Sequence, residues 1–168
     1  VRLSDVTSTN KKQVILVDHN EKTQSVDGLE EAEIVEIIDH HRLGTISTSS
    51  PINFRNMSVG STCTIIFGLF MQFGVEIPNN IAGLLLSAIL SDTLLLKSPT
   101  TTIVDKDAVD KLCKLLNLDY EKYGFEMFKA GSSLKGKTIE EIIYQDFKQF
   151  NADDVNIGIG QVFTTDYG

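Results

Sequence analysis

Three histidines occur in the chain, and all lie in two acid–histidine clusters at the ends of apolar runs. His19 follows Asp18 after Gln13 to Val17, and His40 and His41 follow Asp39 after a stretch rich in β-branched residues, Ile34, Val35, Ile37 and Ile38. Neutral imidazole is a common ligand for transition metals, and a neighbouring carboxylate can set its tautomer and orientation. A further acid, Asp92, ends the apolar stretch that begins near Asn79. Carboxylate plus imidazole, with no cysteine in either cluster, suits Mn²⁺, Mg²⁺, Co²⁺ or a non-structural Zn²⁺ rather than a structural zinc. A carboxylate can bridge two cations, and a two-metal centre can activate water and clamp the oxygens of a displacement. Each residue also has a plainer reading. The double histidine fits a solvated turn, Asp18 an Asx-turn closing a strand, and Asp92 an acid paired elsewhere. His19 reads as a residue that orients its neighbours, and Lys97 as a surface lysine.

The elements that must position these groups follow from the apolar pattern. Gln13 to Val17 is a short continuous apolar run, as expected of a fully buried parallel strand, and Ala32 to Ile38 is a second. If the two are parallel neighbours, both polar clusters meet on one rim of the sheet, where open α/β sheets hold their ligands. Ile52 to Phe54 is a candidate third strand. Gly60-Ser61-Thr62 precedes an apolar helical run from Thr64 to Phe73, capped by Ser61 or Thr62 and stopped by Gly74. Pro78 starts a second, nearly all-apolar helix from Asn79 to Leu90. Asp105 to Asn117 reads as an amphipathic helix with Val109, Leu112, Cys113 and Leu116 on one face, and Asp119 to Ala130 as another with Tyr123, Met127 and Phe128. Gly131 to Lys137 is the candidate linker. Thr138 and Glu141 form a capping-box pattern heading a helix to about Phe147, and Asn156 to Phe163 alternates like a strand.

Composition bounds the function. The 168 residues are 42% hydrophobic, enough for one good core and part of a second. A formal charge of −8 and a pI near 4.8 argue against a nucleic-acid grip built on neutralising phosphates. They fit a cytoplasmic protein that holds cations or cation-complexed anions. Cys63 and Cys113 read as core thiols in a reducing compartment. Val1 to Lys12 is polar, without a signal-peptide pattern, and Ile81 to Leu90 is too short to span a bilayer. The opening on Val1 and the close just after a strand-like alternation suggest a piece of a larger protein.

Taken together, Asp18-His19-Asn20-Glu21, then Asp39-His40-His41, then Ser91-Asp92-Thr93-Leu94-Leu95-Leu96-Lys97-Ser98-Pro99-Thr100 resemble the DHH phosphoesterase superfamily. Within it the pattern is similar to the family II, manganese-dependent inorganic pyrophosphatases. Tyr123-Gly124 to Ala130-Gly131 and Asp146-x-Lys148-x-Phe150 extend the likeness over essentially the whole chain. The resemblance implies an α/β fold whose mainly parallel sheet is flanked by helices. Residues 1–131 would form the DHH-type catalytic domain, 132–137 a linker and 138–168 the start of a DHHA2-type substrate-binding domain. It implies that Asp18 bridges two metal ions, that His40 and Asp92 complete one of them, and that His41 serves the leaving phosphate as proton donor or electrophile. Asp39 would fix an imidazole, and Lys148 would contact a phosphate. The implied reaction is hydrolysis of pyrophosphate to two phosphates by a hydroxide activated between two metals, with Mn²⁺ as cofactor and Mg²⁺ or Co²⁺ as alternatives. The implied partners are pyrophosphate as its metal complex and a second copy in a homodimer, with no nucleic acid and no membrane. A regulatory CBS-type insert is an option in the parent protein.

Two parts of the family pattern are missing from this sequence: an amino-terminal His-x-x-x-Asp-x-Asp motif and a late Ser-Arg-Lys-Lys-type segment. The chain alone is therefore expected to bind Mn²⁺ poorly and to be nearly inactive. Another DHH-family phosphodiesterase or exopolyphosphatase, and a non-catalytic module retaining half of the metal site, remain the alternative readings.

Overall fold

The computed structural model describes residues 12–132, 134–152 and 155–162. The chain forms two compact units that divide between Tyr120 and Glu121. The division falls just after the first residue of the helix that precedes the expected linker.

In the first unit, β1 (Gln13–Val17), β2 (Glu33–Asp39) and β3 (Asn53–Asn56) form a three-stranded sheet in that order, parallel throughout. Leu16 pairs with Ile37, which pairs in turn with Phe54, so these three share one face. Ile38 points to the other. Behind the first face, Leu16, Leu29 and Ile37 form a cluster packed by Val14, Ala32, Ile34, Ile46 and Ile52. That face is covered by irregular chain with two single 3₁₀ turns, Lys22–Gln24 and Leu29–Glu31. Ile38 packs with Val59 and Ile65, backed by Ile66 and Leu69, so here a helix does cover the sheet.

That helix is α1 (Thr62–Phe73), capped by Ser61 and closed by Gly74 at φ 62°. It starts two residues earlier than the apolar run suggests, because Thr62 and Cys63 form its first turn. Next, α2 (Asn79–Asp92) follows Pro78, and α3 (Ile103–Leu116) follows a Thr102 capping box completed by Asp105. α2 packs on α3, and α1 packs on both and on β2. Ala82, Leu86, Ile89, Leu90, Val109 and Leu112 are buried at this junction. Cys113 and Leu116 lie only partly inside.

The expectation of a fully buried first strand is corrected. Leu16 is inside, but Ile15 and Val17 are 54% and 46% exposed. β1 is an edge strand among the described residues, and α1 rests on β2. The fold of this unit is α/β with a parallel sheet, and α1 lies against one face of it.

The second unit carries α4 (Tyr120–Gly131), α5 (Ile139–Ile143) and an antiparallel pair, β4 (Phe147–Ala152) with β5 (Val155–Gly160). The Thr138–Glu141 capping box is present, but the helix it heads ends at Ile143, short of Phe147. Phe147 instead opens β4, where alternating Phe147, Gln149 and Asn151 face one way. The strand expected over Asn156 to Phe163 is the second arm of this hairpin, and its expected end at Phe163 lies outside the described residues, as do residues 1–11 of the expected polar start.

Candidate metal centre

Two parallel strands bring the acid–histidine clusters to one rim. The Asp18 amide donates to the Ile38 carbonyl at 3.0 Å, one rung beyond the β1–β2 ladder. The chain then turns through a left-handed Asp18, φ 66°, a conformation a short polar side chain tolerates better than a branched one. One rung further on, β2 ends at Asp39 and delivers His40 and His41. Ligand-capable atoms of Asp18, His40 and His41 all lie within 4.8 Å of one another.

The tautomers follow from the partners. His40 Nδ1 lies 3.0 Å from the Val59 carbonyl oxygen, which can only accept, so Nδ1 carries the proton. His40 Nε2, left without the proton, faces Asp18 Oδ1 at 3.6 Å. His41 Nδ1 donates to Asp39 Oδ1 at 2.8 Å, which leaves Nε2 as the ring nitrogen without that bond. The two rings meet edge to face, with centroids 4.2 Å apart. An imidazole nitrogen and a carboxylate oxygen facing across such a gap form a donor set that fits a divalent cation.

Asp39 organises this end of the strand without reaching the gap. Its side chain is fully buried. Oδ1 accepts from the His40 amide at 2.8 Å, the His41 amide at 3.2 Å and the His41 ring, and Oδ2 accepts from Asn20. Burial acts to raise its pKa, but the bonds from Asn20, the His41 ring and the two amides outweigh it and hold the carboxyl below its ordinary range. Asn20 is itself buried and fully used: its amide also donates to the Arg42 carbonyl at 2.9 Å, and its oxygen accepts from the Gly44 amide.

Asp92 stands apart from the three-residue group. It is exposed at the end of α2, where Ser61 Oγ donates to its Oδ2 at 2.6 Å. The next residue, Thr62, donates from Oγ1 to Asp18 Oδ1 at 2.7 Å. The two acids are thus linked through adjacent hydroxyls. After Asp92 the chain runs through Leu94, Leu95 and Leu96 at φ 48°, 56° and 62°, a left-handed run that costs about 1–2 kcal/mol per residue. The buried Thr93 hydroxyl donates to the Ile89 carbonyl at 2.6 Å, and Thr93 Oγ1 accepts the Leu96 amide at 3.2 Å, which ties this turn to α2.

A second buried acid, Asp105, supports the opposite wall. Oδ2 accepts from the Gly60 amide at 2.9 Å and from the Thr102 amide and hydroxyl at 2.7 and 2.6 Å, while Oδ1 accepts from Thr64 Oγ1 at 2.6 Å. Gly60 is needed there, since a Cβ would sit 2.6 Å from Thr93 Cγ2 and 3.1 Å from Asp105 Oδ2. Cys63, on the first turn of α1, is half-buried; burial, then the charges of Asp92 and Asp18, push its thiol up to about 11. At neutral pH it stays a protonated thiol and offers no thiolate.

His19 has both ring nitrogens engaged, Nδ1 with the Val17 carbonyl at 3.0 Å and Nε2 with Ser25 Oγ at 3.1 Å. It orients the turn, as its sequence position suggested. Lys97 is exposed. Lys148 lies in the second unit, exposed on β4 opposite Ile159. A cavity of about 420 Å³ opens between Leu29, Ile34 and the loop Thr45 to Ser50, and none of the candidate residues lines it. Sequence reasoning missed Asn20 and Asp105 and read Ser61 and Thr62 only as helix caps.

The sequence matches the DHH family, N-terminal domain, over residues 2–89 and the DHHA2 domain over residues 125–167. The chain belongs to the DHH family. It is 54% identical over 158 residues to a probable manganese-dependent inorganic pyrophosphatase of Clostridium acetobutylicum, covering 94% of this chain and 51% of that protein. It is also 54% identical over 159 residues to a cobalt-dependent inorganic pyrophosphatase of Clostridium perfringens, covering 95% of this chain and 29% of that one. Among solved structures it resembles a Methanococcus jannaschii protein assigned to the family II inorganic pyrophosphatases, with TM-score 0.79 and 44% identity over 96% of this chain and 56% of that one. The chain spans about half or less of the length of the relatives it matches.

Proposed function

We propose that the protein to which this chain belongs hydrolyses inorganic pyrophosphate to two phosphates with Mn²⁺, Co²⁺ being a workable substitute. The observation that carries the reading is the convergence of Asp18, His40 and His41 at the carboxyl ends of two parallel strands. The names of the relatives supply the substrate and the metals.

In this reading Asp18 and His40 Nε2 hold a cation, and Asp92 extends the ligand set across the Ser61–Thr62 step. When bound, divalent cations offset phosphate charge and acidify the attacking water. His41 holds a proton for the departing phosphate. Asp39 keeps its ring in one tautomer and orientation, and its buried negative charge stabilises the ring when that proton is present. Lys148 keeps the phosphate-contacting role that the family resemblance implies. Homodimer formation, a cytoplasmic setting and an optional CBS-type region in the longer protein belong to the same reading and rest on the family resemblance. No helix among the described residues is long and apolar enough to cross a membrane.

The test is phosphate release by the full-length protein with Mn²⁺, offered pyrophosphate, tripolyphosphate and a dinucleotide in parallel. Pyrophosphate should be strongly preferred, and Asp18→Asn should abolish turnover. Preference for a dinucleotide or the longer polyphosphate would refute the reading.

A further inference from the structure

The segment Gly60-Ser61-Thr62-Cys63-Thr64 touches three acids from three separate elements. The Gly60 amide and the Thr64 hydroxyl hold Asp105 of α3, the Ser61 hydroxyl holds Asp92 of α2, and the Thr62 hydroxyl holds Asp18 at the end of β1. We infer that Ser61 and Thr62 are positioning residues that fix which face of Asp18, and at what separation Asp92, is presented to a divalent cation. The inference rests on the proposed metal centre and adds to it residues that never touch the cation.

The geometry at Asp18 shows why a hydroxyl is needed. Oδ1 receives the Thr62 proton at 2.7 Å and faces His40 Nε2 at 3.6 Å. One oxygen therefore has one lone-pair direction taken by a fixed donor and another turned to the imidazole. Asp18 is otherwise an exposed side chain on a left-handed turn, free to rotate. Its hydrogen bond to Thr62 removes that freedom before any cation arrives.

Ser61 and Thr62 can do this because they are buried and hydrogen-bonded. Ser61 is fully buried and Thr62 is 3% exposed. Ser61 Oγ accepts the Cys63 amide at 3.2 Å as the helix cap, which directs its proton to Asp92. Thr62 is the first residue of α1 and has no capping duty. Its hydroxyl can therefore be removed with less cost to the helix than that of Ser61, which makes Thr62 the position to test. Outer partners of metal ligands typically contribute about 10–100-fold in metal affinity or activity.

The experiment compares Thr62→Val, which keeps the branched shape, with Thr62→Ser, which keeps the hydroxyl. The full-length protein is titrated with Mn²⁺ by calorimetry and with Co²⁺ by visible absorption, with circular dichroism and urea unfolding run alongside. Thr62→Val should weaken Mn²⁺ binding about 10–100-fold and alter the Co²⁺ band, and Thr62→Ser should restore both. Turnover by Thr62→Val should recover most of its rate at saturating Mn²⁺. Should Thr62→Val not fold, Thr62→Ala replaces it against the same Thr62→Ser control. Unchanged Mn²⁺ affinity and Co²⁺ spectrum in a folded hydroxyl-free variant would overturn the positioning role while leaving the metal centre standing. Absence of saturable Mn²⁺ uptake by the wild type would instead overturn the metal centre, and the positioning role with it.

Discussion

Replacing Asp105 should separate the charge of this buried acid from its hydrogen-bonding capacity. Four donors converge on it: the amides of Gly60 and Thr102 and the hydroxyls of Thr64 and Thr102. In Asp105→Ala all four lose their acceptor inside a buried site. At roughly 1 kcal/mol for each lost bond, more for any donor left dry, the cost is about 4 kcal/mol. Asp105→Asn differs. Its carbonyl oxygen can take the place of Oδ2, where two amides and one hydroxyl point, and its NH₂ then meets only Thr64, whose hydroxyl can turn to accept. That variant loses charge assistance and should cost about 1–2 kcal/mol. The pH dependence follows with a definite sign. Burial acts to raise the pKa of Asp105, but the bonds from Thr102, Thr64 and Gly60 win and hold it below the ordinary range. A folded pKa below the unfolded one gives stability that is complete above the unfolded value and fades as pH falls through the folded value. Urea unfolding of wild type, Asp105→Asn and Asp105→Ala should thus show wild type above Asn above Ala at pH 7. The gap between wild type and Asn should close toward pH 3. Equal loss in Asn and Ala, or a gap that widens on acidification, would refute this reasoning.

Two other substitutions probe the opposite wall. Gly44→Ala should destabilise the fold by about 1–3 kcal/mol, read as a drop in thermal midpoint, because a Cβ there meets Glu21 Cγ and comes within 2.7 Å of the Asn20 carbonyl oxygen. Asn20→Leu leaves the Gly44 amide without its acceptor and Asp39 Oδ2 without the Asn20 donor. It should cost about 2–4 kcal/mol in urea unfolding, and Mn²⁺ affinity in calorimetry should fall with it.

The first unit was legible in the sequence where one short-range signal decided the outcome. Val-Ile-Leu-Val and Ile-Val-Glu-Ile-Ile form parallel strands because β-branched residues suit a pleated, half-buried surface. Ser61 and Gly74 bound α1 because each satisfies backbone groups at a helix end. The convergence of Asp18, His40 and His41 followed from the two strands being parallel neighbours. Exposure of Ile15 and Val17 was not legible, since a helix lies over β2 and not β1 only through tertiary packing. The helix headed by Thr138 was expected to reach about Phe147, and β4 was not foreseen, because the capping box announces a helix but says nothing of its length. Asn20, Asp105, Ser61 and Thr62 escaped notice as site residues because the partners that tie them to the site, Asp39, Gly60, Asp92 and Asp18, are 19 to 45 positions away in sequence, whereas the Thr102–Asp105 pair shows locally only a helix cap. Only the folded chain brings them together.

The central claim is that Asp18 and His40 hold a divalent cation. The most direct measurement is an anomalous difference map from crystals of the protein grown with Mn²⁺ and collected at the manganese edge. A peak is expected between Asp18 Oδ1 and His40 Nε2, with His40 Nδ1 still bonded to the Val59 carbonyl and Asp39 outside bonding distance of the ion. A manganese peak bonded to neither Asp18 nor His40, or no peak at a Mn²⁺ concentration that saturates the protein in solution, would contradict it.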